Sequence, residues 1–219
     1  VAVLQYTGGT TGVSKGAMLS HGNIVANMQQ AGVLFSTYDF REGEETLLLP
    51  LPLYHIYAFN ACLGMLARGG HTVLVPNPRD LKSLVAAFRD SGCTGFAGLN
   101  TLFVALCNDA DFRAIDFSRL KLTMSGGMAL TMAAARRWQE VTGVEIVEGY
   151  GMSETSPVIS VNPVNANRLG TIGIAVPSTE VRLLDDDGNE VQAGEPGELV
   201  VRGPQVMLGC WNQAGETAK

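Results

Sequence analysis

The sequence predicts an α/β fold in which layered β-sheets are flanked by helices, with the start of a small antiparallel β subdomain at the C-terminal end. Short apolar runs alternate with helical patterns along most of the 219 residues, and this alternation is typical of α/β architecture. Hydrophobic residues make up 46% of the chain and charged residues 16%, so a sizeable core can form. After Pro177 the helical patterns give way to strand and turn signals, which predict the small β subdomain.

Strands of the α/β part are predicted where apolar runs are bounded by turn residues. In chain order they cover residues 1–7, 47–51, 72–76, 121–125 and 144–150. Each run is followed by a glycine-rich or polar loop or by a helical pattern, as expected when helices lie against the faces of a sheet.

The C-terminal part reads as an antiparallel hairpin. The segments TEVRLLD (179–185) and GELVVRG (197–203) are predicted strands, and DDDGN between them is a predicted turn. We therefore expect a boundary near residues 175–180. It would divide an α/β core at 1–177, incomplete on its N-terminal side, from a β subdomain that begins at 178–219.

Four helices are predicted from caps and from apolar residues that recur on one face. They cover residues 20–35, 80–91, 100–108 and 131–142. Ser20 and Thr131 can cap the first and last of these helices, because a hydroxyl accepts a hydrogen bond from the first turn. Gly92 is a good stop signal for the second helix.

The net charge and the cysteine pattern argue against nucleic-acid binding, a zinc site and a disulfide framework. The formal net charge of −6 argues against nucleic acid as a partner, since binding nucleic acid usually requires a basic face. The four cysteines contain no C-x-x-C pair, so we expect reduced thiols and a cytoplasmic location rather than a zinc site or a disulfide framework. They are Cys62, Cys93, Cys107 and Cys210.

No transmembrane segment is expected. Residues 47–66 carry no Asp, Glu, Lys or Arg, but Pro50 and Pro52 would break a spanning helix, so a buried strand, a loop and a core helix are predicted there. The chain begins at Val1 inside an apolar run and stops at Lys219 in a polar stretch. We therefore expect it to be an excerpt from a longer protein.

The strongest functional signal is the segment YTGGTTGVSKG at residues 6–16, directly after a predicted strand. Its glycines allow close approach of backbone N–H groups to an anion, its threonines add hydroxyl donors, and Lys15 adds a positive charge. The pattern G-x-x-x-x-G-K-[ST] is not present, which disfavours a P-loop kinase or GTPase. The sequence therefore predicts a phosphate-binding loop of another kind.

This loop resembles the signature phosphate loop of the superfamily of acyl- and aryl-CoA synthetases, adenylation domains and luciferases. The usual family form has Ser where Gly8 stands and Pro where Ser14 stands. The stretches LQYTGGTTGVSKGAMLSHGN and LPLYHIYAF are similar to bacterial long-chain fatty-acid–CoA ligases in particular. The likeness extends over essentially the whole chain, including GTIG at 170–173 and the ending GELVVRGPQVMLGCWN.

A second motif, EGYGMSE at residues 148–154, follows a predicted strand. Tyr150 offers a flat face for a purine, and Glu154 is a hard oxygen ligand suited to Mg²⁺. The segment is similar to the family's Tyr-Gly-x-Thr-Glu motif, with Ser153 in place of threonine. The resemblance implies that Tyr150 stacks on adenine, Ser153 meets the α-phosphate, and Glu154 holds Mg²⁺ with Thr7 as a second ligand.

Two further stretches match functional positions of the family. A histidine among apolar residues, as in LPLYH at 51–55, is more often a satisfied core residue than a catalyst. The resemblance places His55 beside the acyl and thioester channel. We expect His55 to gate this channel or to orient the substrate there, rather than to act as a general base. The strand-to-helix turn SGGM at 125–128 can bring backbone close to a ligand, and the resemblance places it at the adenylate and acyl pocket.

The resemblance thus implies an ATP-dependent activation of a long-chain fatty acid to an acyl-adenylate, followed by transfer to CoA, with Mg²⁺ required. It implies catalytic roles for Lys15, His55 and Glu154. The expected ATP- or AMP-binding residues are Thr7, Gly8, Gly9, Thr10, Thr11, Gly12, Lys15, Gly127, Glu148, Gly149, Tyr150, Gly151 and Ser153; the expected acyl-binding residues are His55, Gly126, Gly127 and Met128; the expected metal ligands are Thr7 and Glu154.

Alternatives stay open at this point. A medium-chain or aryl-CoA ligase, or an amino-acid adenylation domain, would use the same motifs, although Ala58-Phe59-Asn60 lacks the acidic residue that an amino group requires. A non-catalytic nucleotide-binding module is the rival from another class. The family's ribose-binding aspartate, hinge arginine and C-terminal lysine fall after Lys219, so we expect little or no turnover by this chain alone. Peripheral association with the inner face of the membrane is also left open.

Overall fold

The computed structural model describes residues 1–7, 14–35 and 39–218. The strands are β1 Val3–Thr7, β2 Lys15–Leu19, β3 Thr46–Leu49, β4 His71–Leu74, β5 Gly95–Gly98, β6 Leu122–Ser125, β7 Ile146–Gly151, β8 Val158–Val161, β9 Ile174–Ala175, β10 Glu180–Leu184 and β11 Glu198–Arg202. The helices are α1 His21–Phe35, α2 Ile56–Ala67, α3 Leu81–Ser91, α4 Asn100–Asn108, α5 Ala110–Arg113, α6 Met132–Thr142 and α7 Ala214–Thr217. Short 3₁₀ turns lie at Ser153–Thr155 and Val164–Ala166.

The main sheet is mixed and has the strand order β4-β3-β5-β6-β7-β8-β9. Its first five strands run parallel, whereas β8 and β9 pair antiparallel to their neighbours. Two smaller antiparallel sheets are formed by β1 with β2 and by β10 with β11. The α/β class with layered sheets and helices, and the small antiparallel sheet near the C-terminus, are therefore as predicted.

The predicted helices form where caps start and stop them. Ser20 Oγ accepts a hydrogen bond of 3.0 Å from the Asn23 N–H, and Thr131 Oγ1 accepts one of 3.3 Å from the Ala134 N–H. These bonds satisfy first-turn donors that would otherwise have no partner inside the helix. Gly92 ends α3 in the left-handed region at φ 56°, where a side chain would be strained.

Alternate residues of β3 face opposite layers, as the twofold period of a strand requires. Leu48 packs into a cluster formed with helices α3, α4 and α6, and Trp138 at its centre is fully buried. Leu47 and Leu49 pack on the other face against Ala58 and neighbouring residues of α2. The central strands are thus covered on both faces, which explains why they read as continuous apolar runs.

Several elements differ from prediction. Strands β2, β5, β8 and β9 were not predicted, and the strand predicted at 47–51 ends at Leu49, before Pro50. Strand β5, GFAG, contains two glycines, which are depleted in strands, but its position between β3 and β6 supplies partners on both sides. Strands β10 and β11 pair as expected, although the turn at 185–189 is followed by further chain before β11 begins.

The carboxyl ends of the parallel strands β3, β5, β6 and β7 meet at one edge of the main sheet. Ligands of open α/β sheets bind in the crevice outside this edge. The ends of these strands and the loops after them carry LPLYH, SGGM and the EGYGMSE motif, so the fold brings the predicted motifs to one place. Among the helices that the structure describes, none is long and apolar enough to cross a membrane.

Candidate active site

A cavity of about 230 Å³ lies at the carboxyl edge of the main sheet, and we call it the edge cavity. Predicted site residues in its wall are His55, Gly126, Gly127, Gly149, Tyr150, Gly151 and Ser153. The other lining residues were not named individually as site residues: Ala31, Ile56, Tyr57, Leu122, Met124, Ser125, Val147, Met152, Pro157, Val158, Val161 and Asn162. Four of them, Ile56, Tyr57, Ser125 and Met152, lie inside motifs quoted from the sequence. The wall is mostly apolar and has a few polar groups, the composition usual for a small-molecule site.

One side of the edge cavity is the turn after β6, which faces the start of α2. Gly127 has a φ of +80°, a backbone conformation that favours glycine. His55 Cε1 lies 3.9 Å from the point where a Cβ of residue 127 would stand. His55 also caps α2, because its Nδ1 accepts a hydrogen bond of 3.3 Å from the Tyr57 N–H. The ring is therefore oriented by the helix start and held beside the glycine turn.

The opposite side is the segment from the end of β7 to the start of β8. A β-bulge lies between Tyr150 and Gly151, and a Cβ at Gly151 would collide with the carbonyl oxygen of Pro157. Only glycine therefore permits this close passage of two backbones. Tyr150 remains 37% exposed, so its ring is available to a ligand.

Buried polar side chains hold this segment in place. The Asn27 amide pairs with both backbone groups of Val158: Nδ2 donates to the carbonyl oxygen at 2.8 Å, and Oδ1 accepts from the N–H at 3.0 Å. Asn60 Nδ2 donates to the Ser156 carbonyl oxygen at 2.8 Å, and Ser156 Oγ donates to the Gln205 carbonyl oxygen at 2.9 Å. Ser156 has a φ of 66°, a strained conformation for a non-glycine residue that such surroundings maintain.

Glu148 has a local structural task. Its carboxylate oxygens accept hydrogen bonds of 3.2 Å from the backbone N–H groups of Leu130 and Gly170. Glu148 does not line the edge cavity, and neither does Met128, which is 57% exposed. The carboxylate ties the loop after β6 to the chain near 170, so it positions the cavity wall from behind.

Thr7, Lys15 and Glu154 form a second group, outside the lining of the edge cavity. The turn Ser153–Thr155 lies beside β1 and β2, which end and begin at Thr7 and Lys15. Lys15 Nζ forms an ion pair with Glu216 of α7. The hydrogen bond from Lys15 to Glu216 and the nearby charges of Glu216 and Glu154 raise the pKa of the Lys15 amine. The amine is therefore a protonated cation with a carboxylate partner already in place.

The predicted loop residues Gly8, Gly9, Thr10, Thr11 and Gly12 lie outside the described residues. Of the residues that flank them, Thr7 and Ser14 are connected by a hydrogen bond of 2.8 Å from Ser14 Oγ to the Thr7 carbonyl oxygen. The strands β1 and β2 that carry the two ends of the loop are paired in register, with Thr7 opposite Lys15.

Sequence reasoning missed two hydroxyl groups in the wall. Tyr57 Oη and Ser125 Oγ are buried and have no hydrogen-bond partner in the described part of the chain. It also took Ala58-Phe59-Asn60 as the pocket region, whereas only Ile56 and Tyr57 of α2 line the cavity and Asn60 faces Ser156. Tyr57 and Ser125 lie inside the quoted stretches LPLYHIYAF and SGGM, so membership of a motif was the available signal.

Comparisons with known proteins identify the family of the chain. Residues 1–211 match the family described as AMP-binding enzyme. Over 219 residues the chain is 48% identical to the long-chain-fatty-acid–CoA ligase of Escherichia coli O157:H7. The aligned region covers 99% of this chain and 39% of that ligase. The chain thus spans about two fifths of the length of the curated relatives that it matches.

Solved structures share the fold. ATP-bound MatB from Rhodopseudomonas palustris superposes with a TM-score of 0.83 at 31% identity, over 97% of this chain and 41% of that one. An anthranilate CoA ligase in complex with anthranoyl-AMP superposes with a TM-score of 0.87 at 27% identity, over 98% and 41%. The family resemblance and the fold class predicted from the sequence are confirmed.

Proposed function

The chain belongs to the AMP-binding enzyme family, and from that premise we propose that it forms the adenylate- and acyl-binding centre of an ATP-dependent long-chain fatty-acid–CoA ligase. The observation that supports this most directly is the edge cavity. It brings the glycine turn 126–127, the Tyr150–Ser153 segment and His55 together around one mostly apolar space. An acyl-adenylate has a flat purine at one end and an apolar acyl tail at the other. The Tyr150 ring in the cavity wall suits the purine, and the mostly apolar remainder of the wall suits the tail.

The proposed reaction has two steps. A carboxylate oxygen of the fatty acid attacks the α-phosphorus of ATP, the bond to pyrophosphate breaks, and an acyl-adenylate forms. The sulfur of CoA then bonds to the acyl carbon, AMP leaves, and the thiol proton passes to solvent. Both partners of the first step are anions, so neutralisation and alignment are the main tasks of the protein.

We propose the following roles from the resemblance of the motifs. Tyr150 stacks on adenine, Ser153 donates to the α-phosphate, and the loop at 8–12 with Lys15 holds the departing phosphates. His55 orients the acyl carbonyl from the start of α2. Glu148 differs from the expectation of direct nucleotide contact, because both its oxygens already accept backbone hydrogen bonds.

Mg²⁺ fits the group formed by Glu154 and Thr7. No hydrogen bond or ion pair engages the Glu154 carboxylate within the part of the chain that the structure describes, and Thr7 Oγ1 has only a long contact of 3.4 Å to the Lys15 carbonyl oxygen. One carboxylate and one hydroxyl, completed by phosphate oxygens and water, suit Mg²⁺. When bound, the ion would neutralise charge on the phosphates.

The side chains of the cavity wall indicate which acyl group the site accepts. Among the described residues that line it there is no Asp or Glu, so these residues offer no carboxylate to the ammonium group of an amino-acid substrate. This favours a fatty-acyl or aryl group over an amino acid. The 48% identity to a long-chain ligase favours the fatty-acyl choice, and it supports CoA as the acceptor.

Calorimetric binding tests the proposal. A non-hydrolysable dodecanoyl-adenylate analogue, a benzoyl-adenylate analogue and Mg-ATP are titrated into the purified chain, whose folding is checked by circular dichroism. We expect the dodecanoyl analogue to bind at least tenfold more tightly than the benzoyl analogue, and Tyr150→Ala to weaken it about tenfold through lost stacking. Tyr54→Ala is the matched control, because Tyr54 is 82% exposed and lies outside the cavity. Equal loss in both variants would contradict the assignment.

A non-catalytic nucleotide-binding role is the second candidate. The chain covers 39% of the length of a curated relative, so we propose that turnover by these residues alone is poor or absent. Adenylate binding without release of pyrophosphate would fit that role. Robust formation of acyl-CoA by the purified 219-residue chain would refute it.

A further inference from the structure

The antiparallel pair of β1 and β2, which carries the two ends of the loop at 8–12, also contacts the start of α2; we call this pair the loop hairpin. Alternate residues of such a pair share one face. On one face of the loop hairpin Thr7 lies opposite Lys15, and Gln5 lies opposite Ala17. Gln5 therefore shares a face with the residues proposed to bind phosphate and Mg²⁺, about 7 Å along β1 from Thr7.

Gln5 reaches from this face to the segment that holds His55. Its Nε2 donates a hydrogen bond of 2.9 Å to the Tyr54 carbonyl oxygen. Within the described part of the chain, no other side chain forms a hydrogen bond with residues 52–54, and Tyr54 is 82% exposed. The Tyr54 carbonyl and the His55 N–H belong to one planar peptide unit. The Gln5 amide thus fixes the peptide that leads into His55.

The residue after His55 is tied to the same hairpin. Ile56 is 2% exposed and belongs to a core cluster with Ala17 and Leu19 of β2. Both chain neighbours of His55 are thus connected to the loop hairpin, one by a hydrogen bond and the other by apolar packing. His55 itself is exposed, so its orientation depends on these neighbours and on its capping bond to the Tyr57 N–H.

We propose that Gln5 is a positioning residue, whose hydrogen bond to the Tyr54 carbonyl oxygen holds His55 in the orientation that meets the acyl carbonyl of the ligand. This inference rests on the proposed function, because it gives Gln5 a task in binding the same acyl-adenylate. Loss of the amide donor frees the Tyr54 peptide but leaves the packing of Ile56 in place. The loop hairpin therefore keeps its position, and the effect is confined to His55.

The test is a double-mutant cycle, measured by calorimetry on the purified chain with the non-hydrolysable dodecanoyl-adenylate analogue and with AMP. Gln5→Met keeps the length of the side chain and removes the donor. It should weaken binding of the analogue about three- to fivefold, the effect of one neutral hydrogen bond. AMP has no acyl carbonyl, so its affinity should change by less than about twofold.

The second arm of the cycle is His55→Asn, which removes the imidazole ring and retains a side chain that caps α2. This variant should itself weaken binding of the analogue. In its background Gln5→Met should have no further effect, because residues that act through one another are not additive. Gln29→Met, on the exposed face of α1, is the matched control and should leave both affinities unchanged.

The outcomes separate this inference from the proposed function. Unchanged affinity in Gln5→Met, equal losses for the analogue and AMP, or the same loss in the His55→Asn background would each overturn the role of Gln5. The proposed function stands in these cases, since the analogue still binds the unchanged chain more tightly than AMP. If it does not, both are wrong. If His55→Asn does not fold, the comparison of the analogue with AMP in Gln5→Met still decides.

Discussion

Glu45 and Glu140 each pair with a cation, but only one of these pairs is buried. Glu45 is 3% exposed, and its Oε1 accepts from Lys121 Nζ at 2.7 Å and from the Arg41 N–H at 2.8 Å. Glu140 pairs with Arg137 at 3.0 Å, with both side chains at least half exposed. A buried, hydrogen-bonded carboxylate contributes to stability, whereas an exposed pair contributes little.

The pH dependence of stability follows from Glu45. Burial by itself raises the pKa of Glu45, but hydrogen bonds from Lys121, Thr94 and the Arg41 N–H outweigh it and hold the pKa below its ordinary value of 4.5. A depressed pKa in the folded state stabilises the protein above the ordinary pKa, and this contribution is lost as the pH falls through the folded value.

We therefore expect Glu45→Gln to lower the free energy of unfolding by about 1–3 kcal/mol near neutral pH. Below the ordinary value of 4.5, the difference from the unchanged chain should narrow, since protonation has removed the same charge. Urea denaturation at several pH values measures both effects. Glu140→Gln is the control and should change stability by less than about 0.5 kcal/mol. A constant difference at all pH values would contradict the account.

The Lys15 amine already pairs with the carboxylate of Glu216. A triphosphate that uses Lys15 must compete with that carboxylate, and the two anions also repel each other. We expect Glu216→Gln to tighten Mg-ATP binding about two- to fivefold, an effect that weakens at high salt. Calorimetry at two ionic strengths measures it.

Glu42→Gln is the charge-matched control for that experiment. Glu42 is exposed, and its replacement changes the net charge by the same amount without altering the surroundings of Lys15. Similar effects of both variants would mean that general electrostatics, and not competition for Lys15, governs binding.

At the scale of elements, α1 acts on the candidate site through Asn27. Its side-chain amide pairs with the N–H and the carbonyl of Val158 as a neighbouring strand would, and Val158 lines the edge cavity. Asn27 itself is fully buried. Removing the amide would leave the Val158 N–H without this acceptor and the Val158 carbonyl oxygen with a long contact of 3.5 Å from Gln205 Nε2.

We expect Asn27→Ala to lower the free energy of unfolding by about 1–3 kcal/mol. It should also weaken binding of the dodecanoyl-adenylate analogue, because the wall is no longer fixed. Urea denaturation and calorimetry measure the two effects. Gln29→Ala, on the exposed face of the same helix, should change neither. Unaltered ligand affinity in a destabilised Asn27→Ala protein would confine Asn27 to a structural role.

Elements were predictable where local signals were complete. Helix α6 was predicted with its cap at Thr131 because a hydroxyl cap, an amphipathic pattern and a terminal glycine all agree there. Strand β5 was not, since two of its four residues are glycine and its stability comes from β3 and β6, which lie far away in sequence. The strand propensity of the four residues cannot predict stabilisation by strands that are distant in sequence.

Some residues of the candidate site could be predicted from local motifs, and others depend on tertiary packing. His55, Tyr150 and Ser153 could be assigned from motifs, and the fold places them on one cavity. The orphaned hydroxyl of Tyr57 and the pairing of Asn27 with Val158 could not, because burial and partners are set by tertiary packing. A tyrosine or asparagine inside an apolar run has no local sign that tells a ligand contact from a satisfied core residue.

At the scale of the whole molecule, the parallel strands, the antiparallel extension β8–β9 and the helix α1 act together. The strands bring their carboxyl ends to one edge, and the extension closes the cavity on the Tyr150 side. Helix α1 holds that extension through buried amides. The site is thus a product of the architecture, and we propose that one ligand, an acyl-adenylate, fills it.

The most direct test is a crystal structure of the chain with the non-hydrolysable dodecanoyl-adenylate analogue. The account predicts adenine against Tyr150 and the glycine turn 126–127, the phosphate mimic near Ser153, and the acyl group in the edge cavity beside Tyr57 and Val158. A ligand bound on another surface, or an acyl group lying outside the edge cavity, would contradict it.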